Sequence, residues 1–176
     1  MRTTLILAIL LVLTQPVAAE LTVSGLFGDG MVLQRNTAVP VWGTAEPGAE
    51  ITVAIADRTI TARADAKGRW RAELQPMAAG GPYELMVEAT DQRLSFANVL
   101  VGDVWICSGQ SNMEWTVADS MNAAQEIAAA NDPEIRHFKV PRSWAEKPET
   151  SLAGGSWESA DPEHVGAFTA VGYFFA

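Results

Sequence analysis

The chain has 176 residues, of which 48% are hydrophobic and 19% charged, so it can build a core and is not disordered by composition. Its formal net charge is −9 and it contains no basic run, which argues against a nucleic-acid partner because phosphate binding needs clustered Lys and Arg. The single cysteine, Cys107, cannot form a disulfide within the chain, and no Cys or His cluster has the spacing of a metal site.

The first predicted element is an N-terminal targeting segment. Arg2 precedes an apolar stretch over residues 5–13, and small residues follow at 17–19. This pattern predicts a secretory signal peptide over residues 1–19, cut after Ala19, and hence a secreted or periplasmic protein. An uncleaved anchor is the alternative, although the stretch is short for a bilayer span, and no later segment is apolar for long enough to cross a membrane.

Residues 20–100 form a series of short runs rich in Val, Ile, Thr and aromatic residues, separated by turns with Gly, Pro or Asp. In RWRAEL, for example, Trp70, Ala72 and Leu74 share one face and charged residues share the other. Such alternation is typical of strands with one face in a core and one in water. About eight such strands predict an all-β sandwich domain, with Trp42 and Trp70 in its core.

The pattern changes at residue 101. The segment VGDVWICSG is almost continuously apolar, which predicts a strand buried on both faces of a parallel sheet, with Trp105 and Cys107 inside. A helix is predicted over SMNAAQEIAAAND, beginning from an Asp119 or Ser120 cap.

The remaining segments predict a second strand, EIRHFKV, then a long loop and an apolar helix that starts in VGAFTAVGYFFA. Strand, helix, strand and helix in this order predict the opening of an α/β domain over residues 101–176. Two parallel strands cannot bury both faces of a sheet, so this domain is expected to be incomplete and the chain to be cut short.

The turn SGQSN follows the predicted buried strand, where ligand-facing groups of an open α/β sheet usually lie. Gly109 would permit a tight turn, and the backbone N–H groups after it could hold the oxyanion of a tetrahedral intermediate. The turn therefore has the parts for acyl transfer by Ser111. It is not the G-x-S-x-G elbow, because Met113 stands in the place of the second glycine, and an ordinary polar turn remains the alternative.

Five segments carry a resemblance to a known family: LFGDGMVLQR, VPVWGTAEPGAEITV, GRWRAEL, GGPYELMV and VLVGDVWICSGQSNMEW. Together they resemble the bacterial sialate O-acetylesterases, which belong to the SGNH-type esterases. The resemblance extends through IAAANDPEIRHFKVP to FTAVGYFFA. It implies a β-sandwich followed by an α/β/α, SGNH-hydrolase-like (flavodoxin-like) catalytic domain.

The resemblance also implies an activity, which is the removal of acetyl groups from sialic acid or related acetylated sugars. Ser111 would be the nucleophile, and its backbone N–H would help to form the oxyanion hole. A His base oriented by an acid would assist it, an acetyl-enzyme would form, and neither metal nor cofactor would be needed.

Family members carry their Asp and His in a D-x-x-H motif near the end of the catalytic domain. The literal match in this chain, Asp161 to His164, falls in the loop before the last helix and is interpreted as accidental. The acid and base are therefore expected to lie outside this chain. The alternative function is that of a truncated, inactive fragment, at most a carbohydrate-binding or structural β-sandwich module.

Four further residues of the turn are predicted to contact substrate: Gln110, Asn112, Glu114 and Trp115. Asn112 could also fix the turn, and Glu114 could simply favour a helix start. The loop residues Trp144 and Trp157 are further candidates for lining a sugar site. His137 is interpreted as a strand-face residue that has found a hydrogen bond.

Overall fold

A computed structural model describes residues 19–147, 149, 151–152 and 154–176. The predicted signal peptide lies outside the described residues except at Ala19, and it stays a prediction. The described residues form ten strands and two short α-helices, so the predicted β-rich fold is confirmed. The strands are β1 Thr22–Val23, β2 Val32–Gln34, β3 Val39–Thr44, β4 Glu50–Ile55, β5 Arg58–Arg63, β6 Arg69–Leu74, β7 Gly80–Ala89, β8 Gln92–Gly102, β9 Asp132–Phe138 and β10 Trp157–Ala160. The helices are α1 Ala123–Ala129 and α2 Ala170–Phe175, and 3₁₀ turns span Ser111–Glu114, Val117–Asp119 and Val165–Ala167.

The first eight strands, each at one of the predicted runs, make two sheets. Strands β1, β3 and β6 form an antiparallel sheet of three, and the second sheet has the order β2-β8-β7-β4-β5. All pairs in the second sheet are antiparallel except β2 with β8, where Val32 lies opposite Leu100 in a parallel ladder. The period-two alternation is what sets this register, because one face of each strand must enter the core.

The inward faces of both sheets share one hydrophobic core. In β6, Trp70, Ala72 and Leu74 are buried while the charged residues between them are exposed, as the alternation predicted. Burial of one large apolar side chain contributes about 1.5–3 kcal/mol, so the shared core as a whole supplies much of the favourable free energy of folding. Six core side chains have an exposed fraction of 0%: Val41, Ile51, Val53, Leu85, Val87 and Val99.

Strand β8 connects this sandwich to the rest of the chain. It runs without interruption to Gly102, and the segment after it is held against β2. The Asp103 carboxylate pairs with Arg35 at 2.8 Å, and the Val104 N–H donates to the side-chain oxygen of Gln34 at 2.8 Å. The start of the next segment is therefore fixed by the sandwich.

The predicted buried strand after residue 102 is wrong for this structure. Residues 103–110 have no regular secondary structure. Trp105 is 66% exposed and Ile106 is 92% exposed, and Cys107 is exposed rather than buried. The physical reason is that no strand in the described part of the chain pairs with this segment, so no sheet forms whose faces could bury it.

The last third of the chain has its own small core. This cluster is formed by Val117, Ala130, Ala160, Val165, Phe168 and Ala170. Helix α1 begins after Asn122 and not at the predicted Asp119 or Ser120 cap, because Val117–Asp119 forms a 3₁₀ turn in which Asp119 accepts from the Thr116 hydroxyl. The predicted last helix is interrupted by extended backbone at Phe168 and Thr169.

The second predicted strand is confirmed as β9, and the predicted long loop after it contains a strand that the sequence did not reveal. This strand, β10, pairs with β9 in antiparallel register, so the β9–β10 ribbon is not parallel. The Trp157 indole N–H donates to the Leu26 carbonyl at 2.8 Å, which ties the ribbon to the sandwich. Within the described residues, no helix has the length and apolar character needed to cross a membrane.

Candidate active site

Ser111 lies at the first position of the 3₁₀ turn, and its side chain is exposed. The turn is closed by the Met113 N–H, which donates to the Gln110 carbonyl at 2.9 Å. Gln110 itself has extended backbone, with φ −107° and ψ −152°. Among the side-chain hydrogen bonds of the described residues, none involves Ser111, so its hydroxyl is open to an incoming group.

Gly109 was expected to permit a tight turn, but its surroundings do not require a glycine. A Cβ at this position would meet the side chain of Met113 at 3.6 Å, which is ordinary van der Waals contact. Its φ is not in the left-handed region that favours glycine. The turn therefore does not depend on glycine at position 109 in this structure.

The turn rests against the start of α2. The Ala170 N–H donates to the Trp115 carbonyl at 2.8 Å, and Thr116 and Thr169 form an isolated antiparallel bridge. The Thr169 hydroxyl lies 3.6 Å from the Met113 sulfur. The contacting residues directly precede Val117 or directly follow Phe168 in the chain, and both of these belong to the small core. The small core therefore fixes the turn that carries Ser111.

The other predicted substrate-contacting residues surround Ser111 in this turn. Gln110, Asn112 and Glu114 are exposed, and Trp115 is 56% exposed. The Asn112 carbonyl accepts from the Trp115 N–H at 3.4 Å, which is a backbone contact and not a role for the amide side chain. Trp144 is 84% exposed on the loop after β9.

Glu114 has a partner that the sequence did not indicate. Its carboxylate oxygens contact Nε and Nη2 of Arg142, a residue 28 positions further along the chain. Lys139, Val140 and Pro141 complete the lining of a cleft of about 410 Å³ beside these two residues. No local spacing links positions 114 and 142, so only the folded chain brings this pair together.

Trp157 and Trp105 differ from their predicted roles. Trp157 is half-buried at the start of β10, and its ring lies 5.5 Å from that of Phe138, so it packs between the ribbon and the sandwich instead of lining an open site. Trp105 is not a core residue, and its ring contacts Phe175 edge to face at 5.0 Å between centroids.

Asp161 and His164 form a close pair. His164 Nδ1 lies 2.7 Å from Asp161 Oδ1, and Nε2 lies 3.2 Å from a carboxylate oxygen of Glu158. Asp161 also accepts the backbone N–H groups of Glu163 and His164, each at 3.0 Å. The carboxylate thus fixes the backbone just before the 3₁₀ turn Val165–Ala167, and both imidazole nitrogens face acids rather than a serine.

The hydrogen bond that the His164 ring makes to the Asp161 carboxylate raises the pKa of His164 above the ordinary value of about 6.5, with the negative charges of Asp161, Glu158 and Glu163 adding to it. The pKa of Asp161 is lowered, first by its hydrogen bond with Ser159 and then by those with His164 and Glu163. Both shifts favour the ionised forms of the pair, the imidazolium of His164 and the carboxylate of Asp161.

From the pair of Asp161 and His164 we predict that the stability of the fold depends on pH. A raised folded-state pKa stabilises the fold fully below the unfolded value of about 6.5, and the contribution is lost as pH rises through the folded-state pKa. The Asp161 contribution is constant in this window because its pKa lies far below it. We expect His164→Gln to flatten the decline of Tm as pH rises above about 6.5. Parallel Tm profiles for the two proteins would contradict this assignment.

His137 occupies a different environment. Its ring stacks on Phe168 with 4.5 Å between centroids, and burial lowers its pKa, with the charge of Lys139 adding to the effect. Together with His164 it lines a second cleft of about 310 Å³, which does not include Ser111. Neither histidine is therefore placed beside the candidate nucleophile.

The described residues contain no group of three or more His, Cys, Asp or Glu side chains arranged to hold a metal ion. The chemistry that this arrangement can supply is that of an exposed serine hydroxyl, the backbone N–H groups of its turn, and the charged pair of Glu114 and Arg142.

Comparison with known proteins gives a consistent group of relatives. The sialate O-acetylesterase of Pongo abelii is 34% identical over 160 residues, which cover 83% of this chain and 30% of the relative. The human sialate O-acetylesterase matches with the same identity and the same coverage. No protein-family profile matches the chain.

A solved structure is also similar. It is the crystal structure of a carbohydrate acetylesterase from Xanthomonas citri, with a TM-score of 0.86 and 49% sequence identity. The match covers 88% of this chain and 36% of that structure. The chain thus spans about a third of the length of the relatives that it matches.

Proposed function

This chain belongs to a sialate O-acetylesterase-like family of carbohydrate esterases, and from this membership we propose its function. The protein is a hydrolase that cleaves O-acetyl esters of sialic acid or related acetylated sugars. The observation that supports this proposal is the exposed Ser111 at the start of a fixed turn, in a chain similar to named acetylesterases.

In the proposed reaction, Ser111 Oγ attacks the acetyl carbonyl carbon while its proton passes to an imidazole base. The carbonyl oxygen becomes an oxyanion, which the backbone N–H of Ser111 helps to stabilise. Collapse of this intermediate breaks the bond to the sugar oxygen, which takes the proton from the imidazolium. Water, activated by the same base, then attacks the acetyl-enzyme, and acetate leaves as the Ser111 hydroxyl is restored.

The base and the acid that orients it are proposed to come from the part of the relatives' length that this chain does not span. The support for this is geometric, because His164 has carboxylates at both ring nitrogens and His137 stacks on Phe168. The same observations favour a second candidate: the 176 residues alone would be an inactive fragment, at most a carbohydrate-binding or structural module.

We also propose the location and the domain plan that the sequence predicted. The protein is exported to the periplasm or outside the cell, after cleavage following Ala19. A β-sandwich over residues 20–100 precedes an α/β/α esterase domain of the SGNH type that begins at residue 101.

The test is active-site labelling with an organophosphonate, which reacts only with a serine whose nucleophilicity is raised by a base. We expect peptide mass mapping to find the label on Ser111 of the full-length protein, and none on Ser108 three residues earlier. The 176-residue chain should remain unlabelled, since it lacks the base. Labelling at another serine would remove Ser111 from the mechanism, and rapid labelling of the short chain would place the base within it.

A further inference from the structure

The cleft beside Glu114 and Arg142 carries an excess of positive charge in an acidic chain. The formal net charge of the chain is −9, yet the charged residues that line this cleft are Lys139, Arg142 and Glu114. Two cations against one carboxylate leave a positive surplus at this position. Since negative charge dominates the rest of the chain, this local surplus favours an anionic ligand.

The geometry of the turn places this charge next to the candidate nucleophile. Residues i and i+3 of a 3₁₀ helix eclipse one another, separated by about 6 Å along the axis. Ser111 and Glu114 are the first and last residues of such a turn, so their side chains point to the same side. Glu114 therefore holds the Arg142 guanidinium on the side of the turn where Ser111 is exposed.

The guanidinium keeps donors for a second partner. Glu114 occupies Nε and Nη2 of Arg142, and a guanidinium has five N–H groups. The edge formed by Nη1 and the outer N–H of Nη2 has no partner among the described residues, and the Arg142 side chain is 80% exposed. This edge has the planar, paired geometry that binds a carboxylate with two parallel hydrogen bonds.

We propose that Arg142, oriented by Glu114 and assisted by Lys139, binds the carboxylate of an acidic acetylated sugar and so selects anionic over neutral substrates at the Ser111 site. The inference rests on the proposed function and deepens it by assigning the residue that recognises the acid group. Glu114 is then a positioning residue, since its carboxylate restricts the rotamers of Arg142 before the ligand arrives.

The test is an equilibrium binding measurement that requires no turnover. Full-length protein carrying Ser111→Ala is titrated with an O-acetylated N-acetylneuraminic acid and with its carboxamide analogue, which lacks the negative charge. We expect the acid to bind at least about tenfold more tightly, as two charge-assisted hydrogen bonds imply, and the preference to fall at high salt. Equal affinity for the two ligands, or binding of neither, overturns the proposal.

Variants in the same background identify the residue responsible. Arg142→Gln should bring the affinity ratio of acid to amide to within about twofold, and Arg142→Lys should leave an intermediate ratio because a lysine keeps the charge without the paired donors. Lys147→Gln, an exposed cation of the same segment, is the matched control and should keep the parental ratio. A purely structural role for Arg142 predicts that Arg142→Gln weakens both ligands equally, and an unchanged ratio refutes the proposal.

Acetate release tests the proposed esterase function separately from the role of Arg142, which the binding ratio tests. If protein with Ser111 intact releases no acetate from either ligand, the esterase proposal fails, whereas the binding ratio still decides the role of Arg142. Conversely, acetate release at equal kcat/KM from acid and amide leaves the esterase intact and refutes charge selection.

Discussion

Replacing Ser111 by alanine should lower kcat for acetate release from an acetylated sugar by at least about 10³-fold in the full-length protein. The hydroxyl is the only part of this residue that the substitution removes. Without it no acetyl-enzyme can form, and the remaining backbone donors can only assist direct attack by water. The measurement is the initial rate of acetate release, with KM determined separately.

Ser108→Ala is the matched control for this prediction. Ser108 is exposed in the same segment, and its removal should change kcat by less than about threefold. Circular dichroism of both variants checks that the turn contacts of Trp115 and Ala170 have not been lost through unfolding. A Ser111→Ala protein as active as the parent, or a Ser108→Ala protein that is inactive, would assign the nucleophile elsewhere.

The largest effect on stability is expected from truncating the centre of the sandwich. Leu85 is 0% exposed on β7, which lies between β8 and β4 in the five-stranded sheet. Leu85→Ala removes buried methyl groups and leaves a cavity that strands on both sides cannot close. We expect the free energy of unfolding to fall by about 2–5 kcal/mol, measured by urea denaturation.

Leu94→Ala provides the comparison. Leu94 lies opposite Val87 on the neighbouring strand and is only partly buried at the margin of the same core. Its loss should cost less than half as much as the loss of Leu85, because water can fill the space that it leaves. Similar losses for the two variants would show that the core does not distinguish these positions as the structure does.

The sandwich could be predicted because its signal is local. A strand with one wet face must alternate, and RWRAEL shows this directly, with Trp70, Ala72 and Leu74 buried in sequence. Glycine, proline and aspartate separate the runs, so the strands could be counted from the order of the residues alone. Pairing could not be predicted in this way, and the parallel contact of β2 with β8 is an example.

The second part of the chain was less predictable because its elements depend on neighbours. An apolar run such as the one through Trp105 and Ile106 becomes a buried strand only when other strands flank it, and among the described residues none does. Strand β10, with only four residues, shows no alternation long enough to detect. The assignment of Ser111 as nucleophile rests on its motif and stays a prediction, whereas the contact of Glu114 with Arg142 exists only in three dimensions.

The uninterrupted course of β8 has a practical consequence for dissecting this protein. A recombinant piece that starts at residue 101 would cut the ladder between β8 and β2, and it would lose the anchors that Gln34 and Arg35 provide for Val104 and Asp103. The segment that leads to the Ser111 turn would then lack these anchors. The β-sandwich therefore supports the segment that leads to the Ser111 turn, and we expect that the two cannot be separated without loss of this support.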